Sequence, residues 1–332
     1  MRFSLQLHAQ LPLAAYPRLA ARAEAYGFSD VTVHDLLLRR PVWPLLATLA
    51  QATGRISVGP DVTHPFLQHP AGIAANIAYL DELSKGRAIL GIGRGSMYHL
   101  VGLAPRDSTA VVEEAIELIR HLLAAKEGGF RGRHFTLAPE ARLIPAPRRA
   151  HVPIFVGTFG PRLAEVAGAI ADGVRAAAQW DPRYLQRLRE FVAAGARKAG
   201  RNPEAVPVVA ETWLCLSTKR LEARRLARRI LATFLPHLGP MLDFYGIDAA
   251  LVGRVRAHLA AGDRAAAGRL IPDDVVDLFM AVGEPEDVAR GLSRLRQAGV
   301  EALSFSGVLG PDPEAALRLL GEEVLPGFRG ET

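Results

Sequence analysis

Cysteine is nearly missing from this chain: Cys215 stands alone among 332 residues. One thiol excludes an intramolecular disulfide framework and a cysteine-cluster metal centre, and it fits a reducing compartment, so a cytoplasmic location is expected. Long apolar runs are missing as well. No window approaches 18 uninterrupted apolar residues, so no helical membrane span is expected. The N-terminal Met1-Arg2-Phe3-Ser4-Leu5-Gln6-Leu7-His8 alternates like a strand and lacks the apolar core of a signal peptide. Three catalytic signatures are absent too: a Ser-His-Asp nucleophile elbow, a His-Glu-x-x-His zinc motif and a phosphate-binding P-loop. His34-Asp35 does not replace them as a metal pair, because adjacent strand residues point to opposite faces; no metal is expected.

What is present is a soluble-protein composition, 49% hydrophobic and 22% charged, with a formal net charge of +6. The basic residues are spread among acids and alanine-rich helices rather than gathered into one tract. The densest run, Arg220 to Arg229, reads as an amphipathic helix with a solvated basic face. No nucleic-acid partner is expected, and a basic surface equally suits an anionic small ligand.

Taken in order, the chain alternates strand and helix. Strands are expected at 2–8, 30–34, 56–59, within 87–96, at 152–156, 174–178, near 206–216 and at 301–305. Helices are expected at about 12–26, after Pro44, at 70–84, 108–126 and 161–171, after Asp181-Pro182, and from Asp312. Gly129 to Leu137 reads as a small hairpin outside this repeat. The stretch 220–298 is nearly all helical and too long for one crossover, so it reads as a helical insertion. Eight strand–helix repeats predict an α/β (βα)8 TIM barrel spanning 1–332 as a single domain, with 220–298 inserted before the last strand.

In such a barrel, ligands sit at the carboxyl ends of the strands. The candidates are therefore Gln6 and His8, His34 and Asp35, Asp61 to His64, Gly91 to Ser96, Gly157 to Gly160, Gln179 and Trp180, Glu211 to Trp213, and Ser306 with Gly307. Arg87-Ala-Ile-Leu-Gly-Ile-Gly-Arg-Gly-Ser96 runs from a buried strand into three glycines, Gly91, Gly93 and Gly95, whose missing side chains leave the backbone open to a ligand. Their spacing lacks the two-residue gap of a dinucleotide fingerprint. Gly157-Thr158-Phe159-Gly160-Pro161 is either a helix N-terminus that holds an anion or a plain tight turn. Trp180 and Trp213 either wall an aromatic ligand or pack the barrel, and Cys215 reads as packing.

Several stretches together carry a family resemblance: Gly59-Pro60-Asp61-Val62-Thr63-His64-Pro65, Gly86-Arg87-Ala88, Gly91-Ile92-Gly93-Arg94-Gly95, Gly157-Thr158-Phe159-Gly160-Pro161, Ala171-Asp172-Gly173-Val174, Tyr245-Gly246-Ile247-Asp248, and Gly310-Pro311-Asp312 with Glu323-Val324-Leu325-Pro326. In that order and over nearly the full length, the chain resembles the luciferase-like flavin or deazaflavin oxidoreductases, in particular the 5,10-methylenetetrahydromethanopterin reductase branch. The resemblance implies hydride transfer between coenzyme F420, a 5-deazaflavin with an anionic tail, and a small organic substrate of the methylene-tetrahydropterin C1-carrier kind. FMN, in a monooxygenase or reductase, is the alternative cofactor, and a ligand-binding barrel without catalysis is the second alternative.

The resemblance also implies residue roles. Asp61-Val62 matches a non-proline cis peptide that bulges against the back of the cofactor ring. Asp61, Val62, Thr63, Gly91, Gly93, Arg94, Gly95, Ser96 and Gln179 are implied in cofactor binding, with Gly157, Thr158, Phe159 and Gly160 at its phosphate. His8, His34 and Asp35 are the catalytic candidates, the histidines as proton donors. The family's Asp-His pair keeps its aspartate as Asp35, followed here by Leu36, and Gln6 stands where the reductase branch has glutamate. The basic helical insertion and the family's habit point to a homodimer.

Overall fold

The computed structural model describes residues 1–328. The chain divides into two compact units. The first comprises Ser4–Arg175 and Phe191–Val208; the second comprises Met1–Phe3, Ala176–Glu190 and the chain from Val209 onward.

The first unit carries the first repeats: β1 (Arg2–Leu7), α1 (Ala15–Ala25), β2 (Asp30–Val33), α2 (Val42–Ala52), β3 (Ser57–Pro60), α3 (Pro70–Leu83), β4 (Leu90–Gly93) and α4 (Ser108–Leu123). After a hairpin of β5 (Phe130–Arg131) and β6 (Thr136–Leu137) come β7 (Ile154–Gly157), α5 (Pro161–Ile170) and β8 (Gly173–Ala176). Pairing is parallel from β1 to β2 to β3 and from β4 to β7 to β8. Parallel bridges from Val58 to Ala88 and from Thr63 to Ile92 tie β3 to β4. All four residues of β2, β4 and β8 are buried, which is the signature of parallel strands covered on both faces.

Local chemistry explains the elements. Helix α1 buries Tyr16, Leu19, Ala20 and Ala23 at helical spacing and is followed by Gly27 at φ +72°, a left-handed turn that glycine adopts without a Cβ clash. Helix α4 buries the expected Val112, Ala115, Ile116, Ile119, Leu122 and Leu123. The hairpin is held by one side chain: the buried Glu114 carboxylate accepts the N–H groups of Arg133, His134 and Phe135 at 2.6 to 3.0 Å. Arg87 ties α2, α3 and β3 together, donating to the carbonyls of Ala50, Thr53, Ile56 and Ser84 and to the Thr53 hydroxyl.

Next in the chain is α6 (Pro182–Lys198), which the division splits after Glu190; the second unit then carries β9 (Val208–Leu216) from Val209, α7 (Arg220–Phe234), α8 (Pro240–Phe244), α9 (Ala249–Ala260), α10 (Arg264–Arg269), α11 (Asp273–Phe279), β10 (Met280–Gly283), α12 (Pro285–Gln297), β11 (Ala302–Leu309) and α13 (Pro313–Leu319). Strand β9 pairs in parallel with both β11 and β10. One expectation gains a strand here, and another needs correction. The stretch 220–298 is nearly all helical but also holds one strand that was not expected, β10, which follows α11 without an intervening turn and pairs with β9. The Arg220–Arg229 face is not simply solvated. Arg224 and Arg228 pair with Asp273, Arg224 also with Asp277, and Arg220 with Glu284 and Asp287, at 2.8 to 3.3 Å. A helix read alone does not show the acids that fold back onto it.

Counted along the chain, the eight strands β1, β2, β3, β4, β7, β8, β9 and β11 are each followed by a helix, which is the (βα)8 TIM-barrel class. Among the described residues no helix is long and apolar enough to cross a membrane.

Candidate active site

The carboxyl ends of β1 to β4 and β7 converge, within the first unit, on the segment Asp61-Val62-Thr63. Its first peptide bond, Asp61-Val62, is cis, as the resemblance implies. Each flank of the segment is fixed. The Asp61 N–H donates to Val33 O at 2.9 Å, and its carbonyl accepts from Gln6 Nε2. The Thr63 N–H donates to Gly91 O at 2.9 Å, its carbonyl accepts from the Gly93 N–H at 3.0 Å, and its hydroxyl donates to Asp35 Oδ2 at 2.7 Å. From Pro60 to Pro65 only Val62 is not fully buried. The surrounding bonds present this one side chain.

The glycines of β4 also have a reason within the fold itself. A Cβ on Gly91 would lie 2.5 Å from Pro60 O and 3.1 Å from Asp61 Cα, and one on Gly93 would lie 2.8 Å from Gly157 O and 3.0 Å from Val62 Cγ2. A Cβ on Gly157 would collide with Val62 Cγ1. These glycines make room within the fold for the Pro60 and Gly157 carbonyls as well as for the Val62 side chain. Gly95 is held by φ +70°, with the Tyr98 hydroxyl and the His64 ring against it.

Beyond Gly95, the loop is pinned by Tyr98. Its hydroxyl donates to Arg94 O at 2.8 Å, while its ring stands edge-on to His64 and Phe66 at centroid distances of 5.3 and 5.6 Å. Arg94 and Ser96 remain exposed on this braced loop. Burial lowers the His64 pKa against the opposing pull of Asp35, and burial raises that of Tyr98.

His8 and His34 come together, their rings 5.6 Å apart and edge to face. His34 therefore turns to the end of β1, whereas its neighbour Asp35 turns to Thr63. Burial, and secondarily the charge His8 would carry, pushes His34 down to about 3; burial and then Arg39 lower His8. Both imidazoles are consequently neutral near pH 7.

At the end of β7, the Gly160 N–H donates to Thr158 Oγ1 at 3.0 Å, which shapes the turn into α5. The first turn of α5 has no side-chain cap, and a Cβ on Gly160 would meet nothing closer than Thr158 Oγ1 at 3.9 Å. The remaining candidates lie in the second unit. Gln179 Nε2 donates to Ala177 O at 2.8 Å and meets Met241 Sδ at 3.2 Å. Trp180 packs on Gly291, and Trp213 stacks on Phe234 at 4.9 Å, so both tryptophans are packing residues. Ser306 and Gly307 fall inside β11 rather than past its end. Cys215 is fully buried, and burial raises its thiol pKa. Among the described residues no group of three or more His, Cys, Asp or Glu side chains could hold a metal ion.

Sequence reasoning missed the charged cluster beneath the segment. Arg175 of β8, 3% exposed, reaches Asp30 Oδ1 at 2.6 Å and Asp61 Oδ2 at 3.1 Å, and Asp30 in turn accepts from the hydroxyls of Ser4 and Ser29. The available signal was a lone arginine inside the otherwise apolar strand Gly173-Val174-Arg175-Ala176. A buried guanidinium has to be paired, so its position alone predicts inward-facing carboxylates.

Comparison with known proteins agrees with this geometry. Residues 1–302 match the family described as luciferase-like monooxygenase, and the chain belongs to that family. Within it, the chain is similar to the 5,10-methylenetetrahydromethanopterin reductases of Methanolobus tindarius, 31% identical over 98% of this chain and 100% of the relative, and of Archaeoglobus fulgidus, 30% identical over 99% and 100%. The solved structure of the coenzyme F420-dependent tetrahydromethanopterin reductase from Methanopyrus kandleri superposes with a TM-score of 0.89 at 27% identity, covering 99% of each chain.

Proposed function

We propose that this chain is a coenzyme F420-dependent oxidoreductase, acting on a small organic substrate of the methylene-tetrahydropterin C1-carrier kind. The carrying observation is the pinned Asp61-Val62-Thr63 segment, which offers one apolar side chain, Val62, among strand ends that are otherwise buried or hydrogen-bonded. Full-length similarity to reductases, one of them F420-dependent by name, supports the same reading.

The residues present fit such a cofactor. Val62, between Gly93 and Gly157, supplies a flat apolar rest for a ring. The uncapped α5 N-terminus beside Gly160 suits a phosphate, because its first N–H groups and the helix dipole favour an anion. Exposed Arg94 and Ser96 suit the anionic tail, and the +6 net charge favours its approach. Asp61, Thr63, Gly91, Gly95, Thr158, Phe159 and Gln179 complete the proposed cofactor set. When bound, the deazaflavin supplies or takes up the hydride, while the protein orients the reactants and excludes water.

Neutral His8 and His34 are placed to hydrogen-bond a polar substrate group, and the Asp35 carboxylate keeps the Thr63 hydroxyl in a fixed direction. With Gln6 in place of an acid, a proton needed by the substrate comes through these imidazoles or through water. The reading further takes 1–332 as one barrel domain with 220–298 inserted, assembling as a homodimer in the cytoplasm; the single, buried Cys215 supports the reducing compartment.

The test is to titrate the protein separately into F420 and into FMN and follow quenching of cofactor fluorescence. Saturable F420 binding with weaker FMN binding is expected. Tight FMN binding without F420 binding would overturn the cofactor assignment, and binding of neither would favour a barrel without catalysis.

A further inference from the structure

Three charged or polar side chains outside the proposed cofactor set meet under the Asp61-Val62-Thr63 segment. Gln6 Nε2 donates to the Asp61 carbonyl, while Gln6 Oε1, also buried, has no hydrogen-bond partner among the described residues. The amide is therefore oriented by what it gives, not by what it receives. Arg175 bridges Asp30 and Asp61, and Asp30 is fixed from its other side by Ser4 Oγ at 2.6 Å and Ser29 Oγ at 2.9 Å. Gln6, Asp30, Asp61 and Arg175 are all buried. A buried ion cluster is poor evidence for added stability, because desolvation offsets the attraction; its best-attested use is to fix one arrangement among several. Here the arrangement it fixes is the seat of Val62. The Asp61 carbonyl is held from β1, its carboxylate from β8, and the guanidinium is anchored to β2.

We propose that Gln6 and Arg175 are positioning residues that set where Val62 meets the cofactor ring. This rests on the F420 reading above. In this chain position 6 serves by donating a hydrogen bond to Asp61 O. An amide does so at every pH, whereas a carboxyl does so only when protonated. The acid that the family resemblance places at this position is absent, and the amide has a holding task instead. The charged groups around position 6 in this cluster are Asp30, Asp61 and Arg175, with His8 two residues along the strand. Arg175 is likewise not replaceable by a single ammonium, because only a planar fork reaches two carboxylates at once.

The experiment measures F420 affinity by fluorescence quenching, and thermal unfolding without cofactor, for wild type, Gln6→Met, Gln6→Glu and Arg175→Lys. Gln6→Met removes the donor at similar volume, and affinity is expected to fall about tenfold, the loss of roughly one hydrogen bond. Gln6→Glu is expected to bind poorly at pH above neutrality and to recover toward wild type as the medium is acidified, a rescue that Gln6→Met does not show. Arg175→Lys, which retains the charge, is expected to fold and to lose affinity. Variants that unfold at lower temperature yet bind F420 as wild type does would show a merely structural role and overturn the inference, as would a Gln6→Glu affinity that does not change with pH. A wild-type chain that binds no F420 overturns the cofactor reading and this inference with it, whereas wild-type binding with unchanged variants overturns this inference alone.

Discussion

Replacing His34 by glutamine tests the electrostatics of the site without any ligand. In the folded chain burial holds His34 down at about 3, against 6.5 for an unperturbed imidazole. The folded state thus tolerates only the neutral ring, whereas the unfolded chain takes up a proton as soon as the pH falls below about 6.5. The stability tied to the neutral ring is fully present above that value and is lost progressively as pH falls toward 3. At about pH 5 the unfolded histidine lies 1.5 units below its pKa, so linkage removes about 2 kcal/mol relative to about pH 7.5. Other groups titrate in this window and one runs the opposite way. Burial pushes Asp61 up to about 6 despite Arg175, so its contribution grows as pH falls through 6 toward 3.8. The wild-type curve alone therefore understates the His34 effect, and the difference between wild type and His34→Gln isolates it. Urea unfolding of both proteins at the two pH values gives that difference. It should change by about 2 kcal/mol, with the variant relatively more stable in acid. A difference constant to within about 0.5 kcal/mol between the two pH values would mean that His34 is hydrated or paired when protonated, and the case for a neutral imidazole at the site would fall.

Three further outcomes follow from the packing. Gly93→Ala places a Cβ 2.8 Å from Gly157 O and 3.0 Å from Val62, so it should lower stability by about 1–3 kcal/mol and weaken cofactor binding; an unchanged melting temperature would refute the tight seat of Val62. Arg87→Leu strips hydrogen bonds from four carbonyls and a hydroxyl and should cost more than about 2 kcal/mol in denaturant unfolding, whereas a loss under about 0.5 kcal/mol would show that water replaces the guanidinium. Arg94→Ala removes an exposed charge and should raise the F420 dissociation constant roughly fivefold at low salt, with the gap closing as salt is added. A rise in substrate KM alone would move Arg94 to the substrate mouth.

How much was legible in the sequence divides along a physical line. The repeating strands and helices were readable because each is written locally: β2, β4 and β8 in short, largely apolar stretches set off by turn residues, α1 and α4 in stripes of buried residues three and four apart. Short β10 was not, because it follows α11 directly at Met280 with no turn residue between them, so its apolar residues read on from the helix. The glycines of β4 marked a close approach, yet what approaches, Val62 and Pro60 O, comes from a neighbouring strand that no window around residue 91 contains. Ion pairs show the same limit, since the acids that neutralise Arg224 and Arg228 lie 45 to 53 residues downstream at Asp273 and Asp277.

The pairing of His8 with His34 and of Gln6 with Asp61 O has the same origin: parallel strands bring the ends of β1, β2 and β3 together only once register is fixed. Leu7 lies opposite Val33 in β1 and β2, and Val33 opposite Pro60 in β3. With those two registers, position 8 must sit beside position 34, and Asp61 follows next to both. Register thus turns a list of polar residues at strand ends into a site. It also explains why substituting the donor at Gln6 should be felt at Val62, since a one-residue slip in either pairing would turn Gln6 to the opposite face and leave the Asp61 carbonyl without its donor.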